Sequence, residues 1–163
     1  MNKPVCLIVG AGAGIGGHVA KRFAREGYHA CLARRRDRAG LDRLVAEIEA
    51  DGGSASGHML NVVEEGSIEQ LVTHIEAEIG PISVAVYNLG AQIGDRGLSS
   101  TTLKAFEMGW RMATFGLFRL AGIAQQIYYR YHHKQTDNPA FKNFWIVVHA
   151  LHWRCLQLMR KAV

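Results

Sequence analysis

Val9-Gly10-Ala11-Gly12-Ala13-Gly14-Ile15-Gly16 follows a short apolar run, Lys3–Val9, and opens a segment in which Ile15, Val19, Ala20 and Phe23 recur at helical spacing before Gly27. An apolar run closed by glycines and followed by a 3.6-residue period reads as buried strand, tight turn and amphipathic helix. Gly10 suits the sharp turn off the strand end. Gly14 lets the backbone approach an anion at the amide end of the helix, where unpaired N–H groups and the helix dipole attract a diphosphate. Gly16 permits close packing of the helix on the sheet. The spacing Gly10-x3-Gly14-x-Gly16, with Gly12 between, is a near-match to GxGxxG. Its place after a strand and before a helix makes it a dinucleotide signal rather than a bare turn.

The same alternation continues outward. Tyr28–Ala33 reads as a second strand, and Leu41, Leu44, Val45 and Ile48 form one face of a second helix closed by Asp51-Gly52-Gly53. Ser54–Leu60 is a third strand, Ile68, Leu71, Val72 and Ile75 line a third helix ended by Gly80-Pro81, and Ile82–Tyr87 is a fourth strand. A polar loop from Asn88 to about Thr101 precedes a long helix from about Thr102 towards Tyr131. Strands alternating with helices at this spacing build βαβ units, and right-handed crossovers then give a Rossmann-like, doubly wound parallel sheet of four or five strands. Phe144–Ala150 is the candidate for a fifth strand, followed by a short helix.

The end of the second strand bears on the nucleotide. A carboxylate there would accept from a ribose hydroxyl and favour NAD(H). This chain has Ala33-Arg34-Arg35-Arg36 instead. A guanidinium donates in pairs to a 2′-phosphate that a carboxylate would repel. Arg34 and Arg35 are therefore the expected contacts of NADP(H), with NAD(H) as the alternative, while Arg36 and Arg38 read as a solvated helix start.

At this point residues 3–126 resemble the short-chain dehydrogenase/reductase superfamily. The resemblance rests on the glycine loop, on Asn61-Val62 after the third strand, and on Tyr87-Asn88-Leu89-Gly90 after the fourth. The family's usual motifs at the last two places are Asp-Val, which flanks the adenine, and Asn-Asn-Ala-Gly. Asn61 keeps an acceptor oxygen; Asn88 and Gly90 match, while Tyr87 and Leu89 do not. The resemblance implies a cofactor site formed by Gly10, Gly14, Ile15, Gly16, Arg34, Arg35, Asn61, Val62, Asn88 and Gly90. It also implies hydride transfer between nicotinamide and a small carbonyl or alcohol substrate. In that family a tyrosine serves as general acid/base, its pKa lowered by a lysine four residues later, beside a serine and a helix-borne asparagine.

Those catalytic groups are not found. Trp110–Gly116 aligns with the family's long-helix motif, and Ala113 stands where asparagine is expected. Tyr128, Tyr129 and Tyr131 are followed four residues later by His132, His133 and Gln135, so no Tyr-x-x-x-Lys pair forms and the tyrosines read as a helix end. No catalytic residue is assigned, and the chain is expected to end before the chemistry.

Composition shifts near residue 126. Residues 1–126 carry 13 Lys/Arg and 13 Asp/Glu, whereas 127–163 carry six basic residues against Asp137 alone, which is the source of the net +5. All 18 glycines lie at or before Gly122. Three origins fit residues 127–163: an alternative C-terminus, fast divergence, or a reading-frame change. The abrupt loss of glycine favours the last. Trp145-Ile146 and Trp153-Arg154, read one base later, each force a glycine codon, and Lys161-Ala162 forces lysine or arginine. The gene sequence tests this: a shifted frame without a recognisable serine strand or catalytic segment removes the idea.

The remaining composition excludes several classes. No apolar run approaches the ~20 residues of a membrane span, and Met1–Pro4 lacks a secretory layout. Cys6, Cys31 and Cys155 form no CxxC pair, so neither a disulfide framework nor a zinc site is expected, and the chain reads as cytoplasmic. His132/His133 and His149/His152 lack acidic or thiol partners at ligand spacing. The tail's basic residues are too widely spaced for a nucleic-acid module. A homo-oligomer is compatible with the sequence, which does not fix the assembly.

Overall fold

A computed structural model describes residues 3–90 and 99–132, with the side chains of 128–132 left aside. Four strands, β1 (Val5–Val9), β2 (His29–Arg34), β3 (Ser54–Met59) and β4 (Ile82–Tyr87), alternate with α1 (Ile15–Arg25), α2 (Arg38–Ala50) and α3 (Ser67–Glu78). They form one parallel sheet in the order β3-β2-β1-β4. This is the doubly wound α/β arrangement that the alternation predicts. The suggested fifth strand, Phe144–Ala150, lies outside the described residues.

β1 sits mid-sheet, which explains its unbroken apolar run: all five of its residues are buried. Alternation splits them between two cores. Val5, Leu7 and Val9 pack with Ile68, Val72 and Ile75 of α3, and Cys6 and Ile8 pack with Ala20 and Ala24 of α1 and Leu41, Leu44 and Ile48 of α2. Cys6 and Cys31 thus face opposite cores. Burial pushes their thiols up to about 12 and about 11, so both stay protonated and poorly nucleophilic.

Polar groups line one face of the β2–β3 pair. His29 Nδ1 lies 2.7 Å from Ser54 Oγ and its Nε2 3.0 Å from Ser56 Oγ, which is also 2.9 Å from His58 Nε2. Burial lowers the pKa of both histidines, aided at His58 by His74, His29 and Arg38.

The long helix expected from Thr102 is continuous from Leu103 to His132 but not uniform. α4 (Leu103–Trp110) passes through a π turn, Arg111–Phe115, into α5 (Gly116–His132). Thr102 caps the start, its Oγ1 accepting from Ala105 N at 3.2 Å. The π turn coincides with a tether from the sheet: the Tyr87 hydroxyl donates to the carbonyl of Met112. A Cβ at Gly116 would lie 2.0 Å from that hydroxyl, so only glycine fits beneath it. α5 also runs through the composition shift near residue 126. Among the described residues no helix is long and apolar enough to cross a membrane.

Candidate functional site

The C-terminal ends of the four strands meet at one edge of the sheet, where the order reverses between β1 and β4. Open α/β sheets leave a ligand crevice at such a switch point. The chain leaves β1 through Gly10 at φ 93°, a left-handed conformation that favours glycine. Gly10 N and Ala11 N donate to Ala33 O at 2.8 and 3.0 Å, tying the turn to β2. Asn88 ties it to β4: its backbone N donates to Val9 O at 2.8 Å and its Nδ2 to Gly10 O at 3.2 Å.

The glycines divide into two kinds. A Cβ on Gly16 would stand 2.3 Å from Gly10 O, and one on Gly17 2.4 Å from Gly12 O, so these two let α1 pack on its own entry loop. That refines the role expected for Gly16, which presses on the loop backbone, and adds Gly17, which the motif reading passed over. The adjacent Gly16-Gly17 pair inside a helix, where glycine costs about 1 kcal/mol each, was the available signal. By contrast, a Cβ on Gly12, Gly14 or Gly90 meets nothing within 4 Å among the described residues. Gly14 caps α1 without a side-chain hydrogen bond, so the amide end of that helix faces open space. Ile15 beside it is 73% exposed, an apolar surface at the mouth of the loop.

Arg34 and Arg35 line a cleft beside the loop, with Val9, Gly10, Leu60, Asn61, Val62, Leu89 and Met112. Arg34 is half-buried and pairs at 3.2 Å with Asp37, whose carboxylate also caps α2 by accepting from Gly40 N at 2.9 Å. Arg35 is exposed. Asn61 donates from Nδ2 to Glu64 Oε1 at 2.8 Å, and its Oδ1 is buried without a partner among the described residues. Val62 is buried in the core below.

Behind this loop stands Arg119 of α5, its side chain 13% exposed and joined by two nitrogens to the Glu69 carboxylate. Its Nη1 donates to Val62 O at 3.1 Å and Glu64 O at 3.0 Å. Sequence reading missed Arg119, because its partners lie 50 or more positions away and carry no shared motif.

The ten residues expected to hold a nucleotide therefore surround one edge of the sheet, although Asn88 spends its amide on the loop and Val62 lies beneath it. The fit to a dinucleotide rests on three observations: open space at Gly14 before an uncapped helix, guanidinium groups at the end of β2, and an orphaned acceptor at Asn61. No catalytic constellation accompanies them among the described residues. Ala113 falls within the π turn, and burial pushes the Tyr87 phenol up to about 12, keeping it a neutral donor. No group of three or more His, Cys, Asp or Glu among the described residues could hold a metal ion.

Such a fold and cleft define an α/β protein of the Rossmann class. The profile of the short chain dehydrogenases matches residues 4–132, and the chain belongs to that family. A short chain dehydrogenase of Pseudocercospora fijiensis is 39% identical over 96 residues, covering 58% of this chain and 30% of that protein. The 3-oxoacyl-[acyl-carrier-protein] reductase FabG of Thermotoga maritima is 37% identical over 90 residues, covering 55% and 36%. Among solved structures, a citronellol catabolism dehydrogenase of Pseudomonas aeruginosa PAO1 superposes with TM-score 0.67 at 32% identity, over 80% of this chain and 51% of that one. An actinorhodin polyketide ketoreductase determined with NADPH gives 0.68 at 27% identity, over 78% and 48%. The matched segments thus span about a third of the curated relatives.

Proposed function

We propose that this chain binds NADP(H) at the C-terminal edge of its sheet and does not turn over a carbonyl or alcohol substrate by the family's Ser-Tyr-Lys chemistry. The observation that carries the reading is the open space before the uncapped start of α1, with Arg34 and Arg35 lining a cleft that reaches the loop at Gly10. Helix amides suit the diphosphate and the guanidinium groups suit the extra 2′-phosphate. The NADPH in the ketoreductase structure supports a nicotinamide cofactor here. When bound, that cofactor would supply a hydride. The residues of this chain would orient it: Gly10, Gly14, Ile15 and Gly16 at the diphosphate, Arg34 and Arg35 at the ribose phosphate, Asn61 and Val62 at the base, Asn88 and Gly90 at the loop floor.

Titration of the full chain with NADPH and NADH, followed by a carbonyl-reduction panel, tests this. The expected result is saturable binding that favours NADPH, with no reduction. Equal affinity for both cofactors defeats the NADP assignment; turnover defeats the catalytic one.

A second reading, a non-catalytic docking module, has its own observation. Phe106, Trp110, Phe115 and Phe118 are 68%, 48%, 42% and 72% exposed, and Phe115 stacks on both Trp110 and Phe118. Such a patch supports association with a second copy. Light scattering of Phe118→Ser against wild type tests it: the expected drop is from dimer to monomer, and an already monomeric wild type rejects it. A cytoplasmic location is consistent with the two buried thiols, Cys6 and Cys31.

A further inference from the structure

We propose that His58 of β3 and His74 of α3 form a binding site for one divalent late transition-metal ion, with water filling the remaining coordination positions. The site is separate from the residues assigned to the dinucleotide and does not depend on that reading. Imidazole suits nickel, copper and zinc, whereas magnesium and calcium take oxygen ligands. Two imidazoles bonded to one ion at about 2.0–2.1 Å hold their ring centroids roughly 5–6 Å apart. The centroids of His58 and His74 lie 5.9 Å apart, with the rings at 71°. The two rings come from different elements, so the backbone sets this spacing, and a turn of the exposed His74 ring brings its nitrogen to bear.

His58 is the better-prepared ligand. Its Nε2 lies 2.9 Å from Ser56 Oγ, which lies 3.0 Å from His29 Nε2, and His29 Nδ1 lies 2.7 Å from Ser54 Oγ. One proton per group satisfies this chain when His58 Nε2–H donates to Ser56, Ser56 to His29, and His29 to Ser54. The lone pair of His58 then sits on Nδ1. That nitrogen makes no hydrogen bond to a described residue and is not among their buried, partnerless atoms, so it faces solvent. A histidine whose other N–H is already donated has its tautomer and ring orientation fixed in advance for a metal. Ser56 is thus a positioning residue acting through His58.

Charge and protonation agree with this arrangement. Burial lowers the pKa of His58, so near pH 7 an incoming cation has no proton to displace there. The opposing charge is Arg38, whose guanidinium is engaged by Asp42 at 2.8 Å. Glu78, one turn beyond His74 on the same face of α3, adds a carboxylate. Two protein ligands make an open site, distinct from the groups of three or more that are absent among the described residues.

The experiment titrates the full chain with Zn2+ at pH 7.5 while NMR follows the imidazole signals, with Mg2+ as the control. The signals of His58 and His74 are expected to shift together and saturate in the micromolar range with Zn2+, and to stay still with Mg2+. His74→Asn, at an exposed position that leaves the fold intact, should weaken the response at His58 by roughly tenfold or more. Ser56→Ala should weaken zinc roughly tenfold with both histidines still present, and Ser56→Thr should restore it. The urea midpoint should rise with Zn2+ in wild type and rise less in His74→Asn. Zinc shifts confined to other histidines, such as His132, His133, His149 and His152, or an undiminished response in His74→Asn, overturn the inference.

Discussion

At the end of β1 the cleft is shaped by side chains that are missing, whereas at the ends of β2 and β3 it is shaped by side chains already paired. Gly10, Gly16 and Gly17 bring backbone against backbone at distances no Cβ would permit. Arg34 and Asn61 reach the same cleft through polar groups held by Asp37 and Glu64. On the proposed reading the first region sets where a diphosphate would lie, and its close-packed glycines tolerate almost no change. The second would set which nucleotide is preferred, and it could be retuned because each holding partner is an exposed carboxylate.

The sharpest break in this contrast lies within the glycine loop. Gly16→Ala should destabilise the chain by about 3 kcal/mol, since its new methyl group meets a backbone carbonyl that cannot retreat. Gly14→Ala should leave the urea midpoint near wild type and weaken NADPH binding roughly tenfold, because its methyl group enters space that only a ligand would use. Equal destabilisation by the two would erase the distinction between packing and cradle glycines.

Next comes the paired region. Arg34→Ala with Arg35→Ala should cost NADPH about 1–3 kcal/mol and leave NADH nearly unchanged, as charge-assisted contacts to the extra phosphate are lost. Parallel losses for both nucleotides would locate those arginines elsewhere. A smaller effect sharpens the comparison in the opposite direction. Asp37→Asn keeps an acceptor for Gly40 N and tolerates the left-handed φ of 63°, while releasing Arg34 from its ion pair. Affinity for NADPH should rise a few-fold, roughly 0.5 kcal/mol, the scale of an exposed ion pair.

The β2–β3 face adds a dependence on pH. Burial holds His29 and His58 below the ordinary 6.5, so the unfolded chain takes up their protons first. Their contribution is fully present above about pH 6.5 and is lost as pH falls through their lowered values. Urea midpoints measured between pH 7.5 and 5.5 should drift downward, and His58→Asn should flatten the drift. An identical slope in the variant would assign the proton uptake to other groups.

How far the sequence alone could carry this picture follows from where the determinants lie. The turn at Gly10 and the arginines after β2 are local: a handful of consecutive residues fixes a backbone path or a charge, and both were readable. The π turn was not, because its tether runs from Tyr87 to Met112 across 25 positions and depends on Gly116 being small. Arg119 was hidden for the same reason, as its bonds to Val62 and Glu64 exist only once α5 packs beside α3. Asn61 was visible as a candidate, but the unpaired state of its oxygen emerges only from the placement of Glu64. The expectation of a change near residue 126 marked a real shift in composition, and backbone hydrogen bonding carries α5 through it.

The most direct test of the central claim is amide chemical-shift mapping of the full chain during titration with NADPH. The account predicts saturable shifts at Gly12 through Gly16, at Arg34 and Arg35, and at Asn61, with the β1–β2 core unmoved. Shifts confined to the aromatic face of α4 and α5, or no shifts at saturating nucleotide, would contradict it.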